Sequence, residues 1–320
     1  MTERHHARTR TLRHGLLAIV AFALVAGIGV AQETFRVGSM IWNTTIPFYS
    51  GLIQGQQDAA AEFGIELLVR NGQGELAQEI AVIQQFIAQG VDLILVSPSD
   101  AQGIVPAIMQ ANQAGIPVIE VNSTVADGPD TVTYVGADDF MFGQEQGRLV
   151  AEALGGEGRI ALILGHLGVS AQILREDGLE SVLADYPGIE IVARQSASWD
   201  YATALAITQD FLTRFGPGQL DAIVSQGPEG VAGARYAHQQ AGRDDVLFIA
   251  GDYPSDVRDA IIAGYVHGTV NQDPYPQGFR AVEVAHLYLT GQTDAIIAPF
   301  DYLPLPLVTR ENVETMDAAW

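Results

Sequence analysis

The chain has 320 residues, a formal net charge of −22, no cysteine and no lysine, so all 16 of its basic residues are arginines. So large an acidic excess repels phosphate backbones and excludes nucleic-acid binding. Without lysine there is no phosphate-loop, Schiff-base or general-base lysine. Without cysteine there is no disulfide, thiolate nucleophile, thiolate metal site or lipid-modified cysteine tether.

Residues 1–31 are expected to be a cleaved signal peptide. Arg4, Arg8, Arg10 and Arg13 face one acid, Glu3, and Leu16 to Val30 is uncharged and apolar. Gly29 and Ala31 supply the small residues that a signal peptidase needs. The apolar run is 15 residues, short for a membrane span, which needs ~20. Export to the periplasm as a freely soluble protein follows.

The rest of the chain alternates short apolar runs with longer amphipathic ones. Strands are expected at 35–41, 65–70, 91–97, 117–122 and 132–137, and again at 159–165, 189–195, 220–226, 246–252 and 267–272. Helical periods lie between them, as in "LAQEIAVIQQFIAQG" from Leu76 to Gly90, with apolar residues three and four apart. Gly64, Gly90, Gly115 and Gly242 fall where helix C-caps belong. Such alternation predicts parallel sheets covered on both faces. Two sets of about five strands exceed one ordinary sheet of ~4–6, so two similar α/β lobes are expected. "GGEGR" (Gly155–Arg159) reads as a turn.

Ligands of open parallel sheets bind beyond the carboxyl ends of the strands. Those ends carry Trp42 to Tyr49, Ser97 to Asp100, Asn122, Ser123, Asp138 and Asp139 in the first set. In the second they carry His166 to Arg175, Trp199, Asp200, Gln226 to Glu229, Asp252 and Gln272. Rings and amides with a few charges suit a polyhydroxylated ligand: rings stack on its C–H faces and planar polar groups pair with its hydroxyls. Plainer roles stand beside this reading. Asp100 and Asp200 suit helix caps, Asp138 or Asp139 caps the next helix or serves the site, and Arg175 on a helix suits a salt bridge. One of the consecutive Phe48 and Tyr49 fits the core, and Trp42 either lines the cleft or packs beneath the loop. There is no G-x-S-x-G elbow, no H-E-x-x-H and no phosphate loop. His166 and His267 have no metal or triad partner in sight. No catalytic residue, metal or cofactor is expected.

With these residues laid out, the chain resembles the periplasmic sugar-binding proteins of the ribose-binding family. The likeness runs through "IPFYSGLIQG", "AVIQQFIAQGVDLILVSPSDAQGI", "ANQAGIPVIEVN", "YVGADDFMFGQEQGR", "SAQILREDGLESVL" and "VNQDPYPQG". It implies two Rossmann-like lobes with parallel sheets, joined by three crossings near Ala137, Gln272 and Phe300. The first lobe would hold residues 34–137 and 273–300, the second 138–272 and 301–320. The resemblance gives Phe48, Tyr49 and Trp199 as stacking rings, and Ser97, Asn122, Asp138, Arg175, Asp252 and Gln272 as polar or hinge-side contacts. Ile46, Ser97, Asn122, Ser123 and Gly227 depart from the family pattern, removing a carboxylate, a guanidinium and several amides. These departures argue against ribose itself and towards another pentose or hexose, a polyol or a similar small hydroxylated compound. The implied function is solute capture for an ABC importer, by a monomer that closes by hinge bending and docks on membrane permease subunits. Service to a chemoreceptor or sensor kinase is the alternative reading, and a secreted carbohydrate-active enzyme a more distant one.

Overall fold

The computed structural model describes Met1 and residues 34–320. The expected signal peptide lies outside the described residues. Two six-stranded sheets form the frame.

The first sheet is built from β1 (Arg36–Ile41), β2 (Glu66–Asn71), β3 (Leu93–Ser97), β4 (Val118–Val121), β5 (Tyr134–Gly136) and β11 (Phe300–Tyr302). Its order is β2-β1-β3-β4-β5-β11, parallel throughout. Helices α1 (Pro47–Phe63), α2 (Leu76–Gln89), α3 (Val105–Gln113) and α9 (Pro274–Leu289) accompany it. The second sheet holds β6 (Glu157–Leu164), β7 (Gly188–Ser196), β8 (Ala222–Ser225), β9 (Leu247–Gly251), β10 (Gly268–Val270) and β12 (Leu307–Thr309). Its order is β7-β6-β8-β9-β10-β12, with only the β10–β12 pair antiparallel. Around it lie α4 (Asp139–Leu154), α5 (Ser170–Leu183), α6 (Tyr201–Arg214), α7 (Gly230–Tyr236) and α8 (Ser255–Ala263).

Each sheet is buried on both faces, as its apolar runs require. Along β3, Leu93 and Leu95 join one core cluster while Ile94 and Val96 join another. Along β6, Ala161 and Ile163 face one way and Ile160 and Leu162 the other. Helix ends follow local chemistry. Gly64, Gly90 and Gly242 are left-handed C-caps, while Gly115 lies one residue beyond the cap of α3.

The structure differs from expectation at three places. β6 begins at Glu157, inside the stretch read as a turn. β11 and β12 are extra strands of three residues each, where Pro299, Pro304 and Pro306 break up the apolar pattern, and they are paired only with chain far away in sequence. And β11 pairs with β5, so the expected lobe break between residues 300 and 301 cuts through a strand, and the third passage between sheets runs through 303–306.

Among the described residues, no helix is long and apolar enough to cross a membrane.

Candidate functional site

Both sheets reverse their strand order beside their first strands, at β1/β3 and at β6/β8. Those are the switch points where the carboxyl ends of open α/β sheets leave a crevice. The two crevices face one another, and the lobes are closed together. Ala101 N donates to Gly168 O at 3.2 Å, and Thr124 N donates to Ser170 Oγ at 2.8 Å. The Trp42 ring lies 5.1 Å from that of His166 and 6.0 Å from that of Trp199.

The first lobe contributes the entrance of α1. Pro47 fixes the first helical position, and Ile46 precedes it without a capping side chain. Because this end of α1 meets the cleft, Phe48 and Tyr49 both line it, although they are consecutive. Both also belong to the core cluster, so the core and ligand readings hold together. Trp42 lines the cleft too, and its Nε1 donates to the Tyr49 hydroxyl at 2.7 Å. That hydroxyl donates to Asn122 Oδ1 at 3.0 Å and lies 3.3 Å from Ser97 Oγ. Burial pushes the Tyr49 pKa up to about 12. Asn122 has a left-handed backbone, φ 63°, a conformation that asparagine tolerates better than most residues. Its Nδ2 donates to Gln277 Oε1 at 3.1 Å and to Gln272 Oε1 at 3.4 Å.

The second lobe contributes charge. Arg175 is 2% exposed. Its Nε donates to Asp139 Oδ1 at 2.8 Å, its Nη1 to Gln226 O at 2.7 Å, and its guanidinium lies 3.8 Å above the Phe142 ring. Burial alone would lower its pKa, but Asp139 and Asp252 outweigh burial and raise it. It therefore stays a cation. The close approach of α4 and α5 that sets this pair depends on two glycines, since a Cβ on Gly143 would strike Arg175 O and one on Gly178 would strike Phe140 O.

Asp252 follows β9 at φ 57°. Its Oδ1 is 4.0 Å from Arg175 Nη1, and it is buried without a hydrogen-bond partner. Burial pushes its pKa up to about 6, with Arg175 acting in the opposite sense. Glu229 lies behind it. Ser225 Oγ donates to its Oε1 at 2.9 Å, and burial pushes its pKa up to about 7.

Trp199 enters from a strained turn in which Ser198 and Trp199 have φ of 51° and 59°. Its indole fills a slot that two glycines leave open. A Cβ on Gly165 would overlap its six-membered ring, and one on Gly227 would lie 2.5 Å from its Cδ1. The glycine at 227 thus makes room for the ring.

The structure brings Phe48, Tyr49, Asn122, Arg175, Trp199, Asp252 and Gln272 to one cavity. Two expected site residues are not among its lining. Ser97 sits behind Tyr49, and Asp138 caps α4, where its Oδ1 accepts from Met141 N at 3.0 Å. The neighbour Asp139, in the first turn of α4, is the one that reaches Arg175. Asp200 is a cap, accepting from Thr203 N. Asp100 accepts from Gln102 N and Gly103 N, in the turn before α3. Sequence reasoning missed Trp320, which lines the cavity and packs edge-on against Phe48, with ring centroids 5.5 Å apart. It also missed Gln277, whose amide network holds Asn122; its place one turn into α9, behind Gln272, was the available signal. Among the described residues there is no cluster of His, Cys, Asp and Glu suited to a metal.

Two parallel-sheet lobes closed over a ring-lined, charged cleft define a two-lobed solute-binding protein. The chain belongs to the periplasmic binding protein family, whose domain model matches residues 37–293. It is 30% identical to a xylitol-binding protein of Mycolicibacterium smegmatis, over 88% of this chain and 79% of the relative. It is also 30% identical to the ribose import binding protein RbsB of Salmonella typhimurium, over 92% and 96%. Among solved structures, an ABC transporter solute-binding protein from Bacillus halodurans with bound myo-inositol superposes with a TM-score of 0.80, at 29% identity over 88% of this chain and 96% of the other. Members of this family are binding proteins, not enzymes.

Proposed function

We propose that the protein captures a small sugar or polyol in the interlobe cleft and presents it to the permease subunits of an ABC importer. It acts as a monomer in the periplasm, delivered there by the signal peptide at residues 1–31. The observation that carries this reading is the makeup of the cavity: ring faces from both lobes around an orphaned carboxylate oxygen of Asp252 and the guanidinium of Arg175. A hydroxyl group is the ligand chemistry that both donates to a carboxylate and accepts from a guanidinium, and rings cover the C–H faces between hydroxyls. Contacts from both lobes would favour the closed form when the ligand is bound. The named ligands of the relatives, xylitol and ribose, belong to the same chemical class.

A thermal-shift screen of the mature protein against sugars and polyols tests this. At least one compound should raise the melting temperature in a concentration-dependent way. No response across pentoses, hexoses, their alcohols and cyclitols would contradict the reading.

A further inference from the structure

We infer that Gln277, which is not part of the cavity lining, is a positioning residue for ligand capture: it is the middle link of a one-way hydrogen-bond chain from Trp42 to Asp252 that makes Gln272 a donor towards the ligand. This rests on the proposed sugar or polyol reading.

The two ends of the chain set its direction, because an indole N–H can only donate and an ionised carboxylate can only accept. Trp42 Nε1 donates to the Tyr49 hydroxyl at 2.7 Å, and Tyr49 gives its single proton to Asn122 Oδ1 at 3.0 Å. Asn122 Nδ2 donates to Gln277 Oε1 at 3.1 Å, and Gln277 Nε2 donates to Gln272 Oε1 at 3.1 Å. Asn122 Nδ2 also reaches Gln272 Oε1, at 3.4 Å. At the far end, burial raises the pKa of Asp252, while Arg175 and a hydrogen bond from Gln272 oppose the rise. Each amide therefore turns its oxygen towards Trp42 and its nitrogen towards Asp252. Flipping Gln277 alone would set oxygen against oxygen at Gln272 and N–H against N–H at Asn122.

The chain joins the lobes. Trp42, Tyr49 and Asn122 stand at the ends of β1 and β4 and the start of α1, Gln272 lies in the passage from β10 to α9, and Asp252 follows β9. Gln277 is 1% exposed, one turn into α9. Asn122 and Gln272 both line the cavity, but they are not equivalent. Asn122 spends both amide protons inside the chain. Gln272 Oε1 accepts two bonds, so Gln272 meets a ligand oxygen as a donor, through Nε2. The amide at 122, one of the departures from the family pattern, is thus matched by the amide at 277: an aspartate at 122 would face the oxygens of Gln277 and Gln272. Without Gln277, nothing but the long bond from Asn122 holds the direction of Gln272. Loss of such a buried partner is worth about tenfold in Kd.

The test is titration calorimetry on the full mature chain with the compound of the sugar and polyol screen that raises the wild-type melting temperature most. Gln277→Leu should bind it about tenfold more weakly than wild type. Gln277→Glu should show the same loss at pH 8, where its carboxylate can only accept. At pH 5 the loss, taken against wild type at the same pH, should shrink to threefold or less. There a protonated glutamate has an oxygen to accept from Asn122 and an O–H to donate to Gln272. A residue that only fills space would give no such pH-dependent rescue. Wild-type affinity in Gln277→Leu, or in Gln277→Glu at pH 8 should the leucine variant not fold, overturns the inference while the sugar or polyol reading stands. So does a Gln277→Glu deficit that is the same at both pH values. A wild-type protein that binds no compound of the screen overturns both.

Discussion

Trp320 and Phe48 pack edge to face across the mouth of the cleft, 5.5 Å apart and at 89°, although they lie at opposite ends of the described chain. The segment carrying Trp320 is fastened to the second lobe. Ser255 N and Oγ both donate to Trp320 O, at 3.0 and 3.1 Å, and Ala319 N donates to Tyr253 O at 2.8 Å. Phe48 opens α1 in the first lobe. The contact therefore joins the lobes when they are closed and adds a wall to the ligand cavity. Such an aromatic pair contributes ~0.5–1.5 kcal/mol beyond its area burial. Trp320→Ala is predicted to weaken binding of the best compound in the screen about tenfold, mainly through faster dissociation, with the ligand-free melting temperature nearly unchanged. Stopped-flow release measurements check this; equal release rates would contradict it.

Asp139 holds Arg175 without lining the cavity. Asp139→Asn removes the charge that fixes the guanidinium and leaves a buried cation less well paired, a change worth ~3–5 kcal/mol when one partner is lost outright. The prediction is a stability loss of about 2 kcal/mol or more in urea unfolding, with weaker ligand binding. Asp138→Asn should lose far less, since asparagine also caps helices. The opposite ranking would return the functional role to Asp138.

The glycine slot predicts a sharp steric response. Gly227→Asn adds an amide at a position where the chain departs from the family pattern, yet its Cβ would meet Trp199 Cδ1 and Glu229 Oε2. Gly165→Ala would push the same indole from the other side. Overpacking of this kind costs ~1–3 kcal/mol. Both variants should lose ligand affinity, accompanied by a change in tryptophan emission without ligand. A Gly227→Asn variant with wild-type affinity would show that the slot is not needed.

Stability should fall as pH rises from about 4 to 8. Asp252 and Glu229 have pKa values of about 6 and 7 in the fold, raised mainly by burial, against ~3.9 and ~4.3 in an unfolded chain. Between those limits the folded protein holds protons that the unfolded chain has released, so raising the pH favours unfolding. The groups facing them are Arg175 and Asp139 beside Asp252, and Ser225, Asp252 and Arg175 around Glu229. Glu79, Glu120 and Asp256 are raised by burial in the same sense, while the exposed Asp200 and Asp245 are lowered. Each of the two main carboxyls accounts for on the order of 3 kcal/mol. Calorimetry of the ligand-free protein should give a higher melting temperature at pH 5 than at pH 8, and Glu229→Gln should flatten the upper part of that slope. A melting temperature that climbs with pH would contradict this.

What the sequence made legible follows from how local each signal is. The long apolar runs and the glycine C-caps are local, and they located the early strands and helix ends within a residue or two. β11 and β12 escaped because Pro299, Pro304 and Pro306 break up the apolar pattern around them, and their partners β5 and β10 are set by the tertiary fold. At the site, only the family resemblance raised Arg175, which lies inside α5, while strand-end position marked Trp199, Asp252 and Gln272. It could not choose between Asp138 and Asp139, because the helical phase that turns one out and the other in depends on where α4 starts. Nothing in the local sequence of Trp320 marks it as a cleft residue. Its role comes from contacts with Phe48 and the Tyr253–Ser255 loop, both remote along the chain.

The chain has three tryptophans, and Trp42, Trp199 and Trp320 all line the cavity. Tryptophan emission, excited where tyrosine does not absorb, therefore reports on the cleft. Tryptophan emission titrated with sugars and polyols should show a saturable change for the compound that raises the melting temperature, with the same apparent affinity in both measurements. An emission spectrum unmoved by that compound would place its binding elsewhere and contradict ligand capture between the lobes.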